Sequence, residues 1–225
     1  MLVESAKNQL MYVAKMDLGS AKDKAMIVEL QLQPKLKHPN ILSTKETFFD
    51  NKHNFIVLQE LCVFGTLAHQ ISLKMTKNTF KRFPEPIVRK ILVDLTNALV
   101  HITDQGIVHT DMKPKAVFLS ADGTFKLASW TTSILIEKDG EPVDIKRDPG
   151  YVSPEVYRDR RLSSKSDIWG MGVILHELCT LDHRFNHNKS YVQNSNYTEN
   201  YDSEKHPIPQ PYSKELTEII DLMLL

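Results

Sequence analysis

The sequence predicts an α+β fold, with strands gathered in its first quarter and helices through most of the remainder. Three observations carry that prediction. Residues 11–16, Met-Tyr-Val-Ala-Lys-Met, alternate with the period of a strand, and residues 55–62, Phe-Ile-Val-Leu-Gln-Glu-Leu-Cys, form a short apolar run suited to a buried one. Ile87, Ile91, Leu95, Ala98, Leu99 and Ile102 fall on one face of a helix that Pro84 and Pro86 open and Gly106 ends. Residues 166–175 are almost continuously apolar, as a helix surrounded by other helices must be.

With 28 basic and 28 acidic side chains among 225 residues, the chain has no global field to draw it to nucleic acid or an anionic membrane. A content of 41% apolar and 25% charged residues is that of a globular protein with a sizeable core. No run of about 18 apolar residues is present to span a bilayer, and residues 1–12 lack the apolar stretch of a secretory signal. The expected address is therefore intracellular and cytoplasmic, with protein partners rather than nucleic acid or membrane. Cys62 and Cys179 are too few and too far apart for a disulfide framework or a zinc site; each lies in an apolar run, so both read as core residues.

In chain order, the strand over 11–16 leads to a helical pattern, with Ala25, Val28, Glu29, Leu32 and Leu36 at helical spacing, that runs into Lys37-His38-Pro39-Asn40-Ile41-Leu42. Between them, Gly19-Ser20-Ala21-Lys22 is too short for a phosphate-binding loop. Residues 117–119 and 125–127 flank Ala121-Asp122-Gly123-Thr124 and predict a hairpin. From Phe185 to His206 the chain is rich in Asn, Tyr, Ser and Lys without periodicity, and a flexible loop is expected. His183 and His187 have the i, i+4 spacing of metal ligands but neither a helix signal nor a third ligand, so no metal is expected there. Asn196-Tyr197-Thr198 matches a glycosylation acceptor, without consequence at an intracellular address. Leu216, Ile219, Ile220 and Met223 predict a last, amphipathic helix.

Residues 109–119 read His-Thr-Asp-Met-Lys-Pro-Lys-Ala-Val-Phe-Leu. This stretch resembles the catalytic loop of eukaryotic protein kinases, His-Arg-Asp-Leu-Lys-Pro-x-Asn followed by an apolar strand. The strand bearing Lys15, the His-Pro-Asn junction, Pro149-Gly150-Tyr151-Val152-Ser153-Pro154-Glu155 and Ser166-Asp167-Ile168-Trp169-Gly170 follow the same family in the same order. Ser-Pro-Glu at 153–155 and Ile-Pro-Gln-Pro-Tyr-Ser-Lys-Glu-Leu at 208–216 most resemble the NIMA-related (NEK) serine/threonine kinases. The resemblance implies a two-lobed kinase-like fold. A small antiparallel sheet lobe, without the Gly-rich strand, is expected over 1–61, and a larger helical lobe, ending before the family's last helices, over 62–225.

The resemblance also implies site roles. Asp111 takes the place of the residue that accepts the proton of the substrate hydroxyl, and Lys113 that of the lysine steadying the transferring phosphoryl group. Lys15 and Glu29 take the places of the nucleotide-contacting lysine and its helix partner. Gln59 corresponds to the gatekeeper, and Glu60, Leu61 and Cys62 to the hinge whose backbone meets an adenine ring. Asp167 corresponds to a residue that hydrogen-bonds the catalytic-loop backbone.

Other positions depart from the family. Ala116 stands where an asparagine holds one magnesium, and Ser129-Trp130-Thr131 where Asp-Phe-Gly holds the other. Thr110 replaces the arginine that grips an activation-loop phosphate, and Asp148 replaces a threonine near the catalytic aspartate. The Gly-rich phosphate-covering loop is expected about 20 residues upstream of the strand lysine; only 14 residues precede Lys15, and none is glycine.

The expected function is that of a catalytically defective pseudokinase, a binding, scaffold or allosteric module in signalling. No metal and no cofactor would be required, and any ATP would bind without magnesium. Another kinase or a cytoskeletal protein is the expected partner, at the cytoskeleton, centrosome or basal body by family analogy. The alternative is a weak or atypical serine/threonine kinase, in which Lys15, Glu29, Asp111 and Lys113 still serve transfer of the ATP γ-phosphate to protein hydroxyls.

Overall fold

The computed structural model describes residues 1–4, 11–17, 31–32, 35–52, 54–76, 81–136, 141–142, 149–182 and 207–225. Several features expected from the sequence lie outside these residues: Glu29 and most of its helix, Gly19 to Lys22, Asp148, His183, His187, Asn196 and the loop from Phe185 to His206.

The first part of the chain folds as an antiparallel sheet of β1 (Leu2–Glu4), β2 (Met11–Asp17), β3 (Thr44–Phe49) and β4 (Phe55–Glu60), in the order β1-β2-β4-β3. The continuous apolar run falls on β4, where consecutive Phe55, Ile56 and Val57, pointing to opposite faces, are all buried. β2 alternates because it carries Ala14 inward and Lys15 outward. Asp50 forms the β3–β4 turn by accepting the amides of Lys52 and Asn54, each at 2.8 Å.

The rest of the chain is mainly helical: α1 (Leu67–Thr76), α2 (Glu85–Thr103), α3 (Pro154–Asp159), α4 (Ser164–Thr180) and α5 (Lys214–Met223). Small antiparallel pairs join them, β5 (Ile107–Val108) with β8 (Ile134–Leu135), β6 (Val117–Leu119) with β7 (Phe125–Leu127), and β9 (Glu141–Pro142) with β10 (Arg161–Leu162). A sheet lobe followed by a helical lobe is the two-lobed architecture of a kinase-like fold. Pro84 and Pro86 start α2 as expected, and Gly106, at φ 69°, takes the chain out of the turn beyond its end. α1 is a helix that the sequence reading did not anticipate; Leu67 and Ile71 are its buried residues.

α4 is the axle of the helical lobe, with thirteen of its 17 residues buried, which explains why its sequence has no polar stripe. Two glycines let its neighbours close in. A Cβ at Gly170 would lie 2.6 Å from Met112 Cβ, and one at Gly172 would lie 2.8 Å from Met223 Cβ, so the helix backbone abuts the segment around Met112 on one side and α5 on the other. Leu95, Ala98 and Ile102 of α2, Ile174 and Leu178 of α4, and Leu216 and Ile220 of α5 fill the core. Among the described residues, no helix is long and apolar enough to cross a membrane.

Candidate functional site

β5 delivers the chain into His109, and the first turn of α4 fixes the backbone of that residue and the next. The carboxylate of Asp167, 3% exposed, accepts the amide of His109 at 2.7 Å through Oδ2 and that of Thr110 at 2.8 Å through Oδ1. Bonds of an amide to a buried carboxylate are stronger than neutral ones. They hold Thr110 at φ 72°, a left-handed conformation that costs a β-branched residue about 1–2 kcal/mol. The Thr110 hydroxyl adds a bond of 2.8 Å to the carbonyl of Thr132.

His109 is fully buried. Its Nδ1 accepts the amide of Asp111 at 3.3 Å, which leaves the ring proton on Nε2, donated to the carbonyl of Ala128 at 2.8 Å. Trp130 packs edge-on against the imidazole, with ring centroids 4.8 Å apart. The Ser133 hydroxyl closes the cluster by donating to the His109 carbonyl at 3.1 Å. Asp111 emerges from this frame partly exposed, with its carboxylate 2.7 Å from the ammonium of Lys113. The two expected catalytic positions are thus brought together.

No metal is expected at Ala116 and Ser129, where the resembled family holds magnesium, and the side chains there carry no charged ligand. Ala116 ends a short 3-10 turn (Pro114–Ala116) and is fully buried, and its carbonyl accepts the amide of Ala128 at 2.8 Å. Ser129 sits in the left-handed region, at φ 72° and ψ 63°, just before the 3-10 turn Trp130–Thr132. Magnesium requires hard oxygen ligands, commonly carboxylates. Ala116 offers a methyl group and Ser129 one neutral hydroxyl, so this pair does not fit the ion. Among the described residues, no cluster of three or more His, Cys, Asp or Glu side chains could hold a metal. Within the same turn, the indole N–H of Trp130 and the hydroxyl of Thr132 are buried with no hydrogen-bond partner among the described residues.

On the sheet side, Lys15 lies on β2 opposite Val57, with its side chain exposed. Its expected partner, Glu29, is outside the described residues. Gln59 is buried near the end of β4, opposite Val13 and Thr44. Cys62 comes just after the strand and packs with Leu42, Ala128 and Phe118 in a small apolar cluster between the lobes. Burial, helped by the charge of Glu60, pushes its thiol up to about 11, which keeps it protonated and inert near neutrality.

Sequence reasoning missed the partner of Glu60. Its two carboxylate oxygens accept from Lys126 of β7, at 2.9 and 2.7 Å. Nothing but the alternation of buried Phe125 and Leu127 around Lys126 hints at that pairing. Also missed was a groove of about 300 Å³ walled by Ile71 and Met75 of α1, Pro114, Lys115 and Tyr151. At its edge the Tyr151 hydroxyl donates to Glu177 of α4 at 2.7 Å. Glu155, in the segment ending 153–155, accepts the hydroxyls of Ser153 at 2.7 Å and Ser166 at 2.9 Å.

Comparison with known proteins places this geometry. The family model for the protein kinase domain matches residues 2–225. The chain is 30% identical to the serine/threonine-protein kinase Nek3 of Mus musculus, over 100% of this chain and 42% of that protein. It is 32% identical to Nek2 of Homo sapiens, over 93% of this chain and 48% of that protein, and 34% identical to Nek1 of Mus musculus, over 70% and 13%. The chain therefore spans less than half the length of these curated relatives. From the match along nearly its whole length, together with the Asp167-anchored loop that carries Asp111 and Lys113, the chain belongs to the protein kinase family and is related to the NEK kinases.

Proposed function

We propose that this chain is a pseudokinase, a NEK-like protein-kinase fold that works by binding, as a scaffold or allosteric partner in signalling, and not by transferring phosphate. One observation carries the reading. At the two positions where the family grips magnesium, the backbone is held in a fixed conformation while the side chains are the methyl group of Ala116 and the hydroxyl of Ser129. Phosphoryl transfer depends on positioning and charge neutralisation, and losing one preorganised electrostatic contact lowers a rate by about 100-fold to 1,000-fold. Losing both metal grips leaves the transition-state charge without its main counter-ions. The groove beside Lys115 and Tyr151 offers a place for a protein partner, and NEK analogy suggests one from the cytoskeleton, centrosome or basal body. By the resemblance, an adenine ring would meet the backbone of Glu60, Leu61 and Cys62, with Lys15 toward its phosphates.

The 2.7 Å pair of Asp111 and Lys113 favours the second reading, a weak serine/threonine kinase, because both catalytic-loop side chains survive and face each other. Thermal shift with ATP, alone and with magnesium or manganese, beside a transfer assay on a generic protein substrate, separates the two. The pseudokinase reading expects no transfer and no metal-dependent shift. Metal-dependent stabilisation, with transfer abolished by Asp111→Asn, would establish the kinase instead.

A further inference from the structure

Glu60 is the last residue of β4, an interior strand of the sheet, and its backbone and carboxylate have several partners. Its amide donates to the carbonyl of Ser43 at 3.0 Å, and its Oε1 accepts the amide of Ser43 at 2.6 Å. Both of its carboxylate oxygens accept from Lys126. The side chains of Lys126 and Glu60 are 14% and 29% exposed, so the pair is largely shielded from water and salt.

Lys126 in turn belongs to a strand bolted to the segment 40–42. The side-chain amide of Asn40 donates to the Phe125 carbonyl at 3.2 Å, the Leu127 amide donates to the Asn40 carbonyl at 2.8 Å, and the Leu42 amide donates to the Leu127 carbonyl at 2.8 Å. Residues 40–42 and β7 therefore form one platform on the helical lobe, and Lys126 is where Glu60 of the sheet is caught on it. Residues 61–66, which link the lobes, begin one position later.

We propose that the ion pair of Glu60 with Lys126 forms an inter-lobe lock that holds the sheet lobe against the helical lobe, the Ser43 amide fixing the carboxylate from the sheet side. Lobe closure is ordinarily driven by a ligand that touches both sides of a cleft. Here fixed charges do that mechanical work, since any swing of β4 about residues 61–66 must pull the carboxylate away from the Lys126 ammonium, while the Ser43 amide, next to β3, moves with the sheet. The lock stands on this geometry alone and holds whether or not a nucleotide binds.

Hydrogen exchange of the whole chain, with small-angle scattering, tests it. Lys126→Met should raise exchange of the amides over 61–66 about tenfold relative to those of α4, and increase the radius of gyration. Lys126→Arg, which keeps the charge, should stay within about twofold of the parent. Glu60→Gln, whose amide oxygen still accepts from Ser43, should give an intermediate rise of about threefold and serves if the methionine variant does not fold. Unchanged exchange over 61–66 in both neutral variants overturns the lock. So does a rise that is equal in α4, which would make the pair a contributor to global stability alone.

Discussion

Replacing Asp167 by alanine removes the only charged group that accepts from the amides of both His109 and Thr110 among the described residues. Each amide is left buried, and an unsatisfied buried donor costs about 1–3 kcal/mol. Against roughly 2–6 kcal/mol of loss stands the release of Thr110 from its left-handed conformation, a gain of about 1–2 kcal/mol. The net expectation is about 3 kcal/mol of destabilisation. For a chain of this size, each kcal/mol lowers the melting temperature by about 2–4 °C, so Asp167→Ala should melt about 6–12 °C lower. Asp167→Asn retains one accepting oxygen and should lose about half as much. Thr110→Gly, which gives up the hydroxyl bond to the Thr132 carbonyl and relieves the strain together, should be nearly neutral in the parent. Differential scanning calorimetry of the three variants is the assay. A drop of less than about 2 °C for the alanine variant, or an asparagine variant as damaged as the alanine one, would refute the anchoring argument.

Three further outcomes are expected. Ser129→Asp places a carboxylate on a residue already at φ 72°, where aspartate is tolerated better than serine; combined with Ala116→Asn it should create a manganese-dependent thermal shift with ATP that the parent lacks, and the same shift in the parent would contradict the chemistry assigned to these positions. Cys62, with its thiol pushed up to about 11, should react with iodoacetamide at pH 8 roughly 100-fold more slowly than a free thiol, read by mass spectrometry at that residue. Hydrogen bonds from the Ser120 hydroxyl first, and then from Thr124, hold the Asp122 carboxyl down at about 2. A depressed folded-state value contributes stability above the ordinary value near 3.8, which is lost as pH falls through about 2; Ser120→Ala should flatten that loss in denaturation curves between about pH 4 and pH 2.

How much of the fold and site was legible in the sequence depends on whether a feature is local. β2, β4 and the β6–β7 hairpin announce themselves because burial on a pleated strand imposes a pattern within a few residues, and α4 because burial on all sides leaves no polar stripe. α1 escapes sequence reading because its ten residues bury only Leu67 and Ile71, too short a stripe to separate from a loop. The pairing of Glu60 with Lys126 spans 66 positions, and neither charge is marked by its neighbours, so only the folded chain reveals it. The Tyr151–Glu177 bond is hidden for the same reason, across 26 positions. Of the site, the nearness of Asp111 and Lys113 was legible because both lie in one short loop, whereas Glu29, the expected partner of Lys15, falls outside the described residues.

The loop that carries Asp111 is shaped by side chains other than those of Ala116 and Ser129. Asp167 fixes its entry, the ring of His109 bonds the Ala128 carbonyl across to the segment before Ser129, and Trp130 closes over that ring. None of these contacts involves the side chain of Ala116 or of Ser129. The left-handed turn at Ser129 is therefore imposed by its surroundings: by the Ala128 amide bonded to the Ala116 carbonyl on one side and the buried Trp130 on the other. Neither side chain is part of the frame, so the pseudokinase proposed above would keep this loop well formed. A fold constructed this way can lose catalysis and remain a well-formed surface for binding, with the Glu60–Lys126 contact holding its two lobes together.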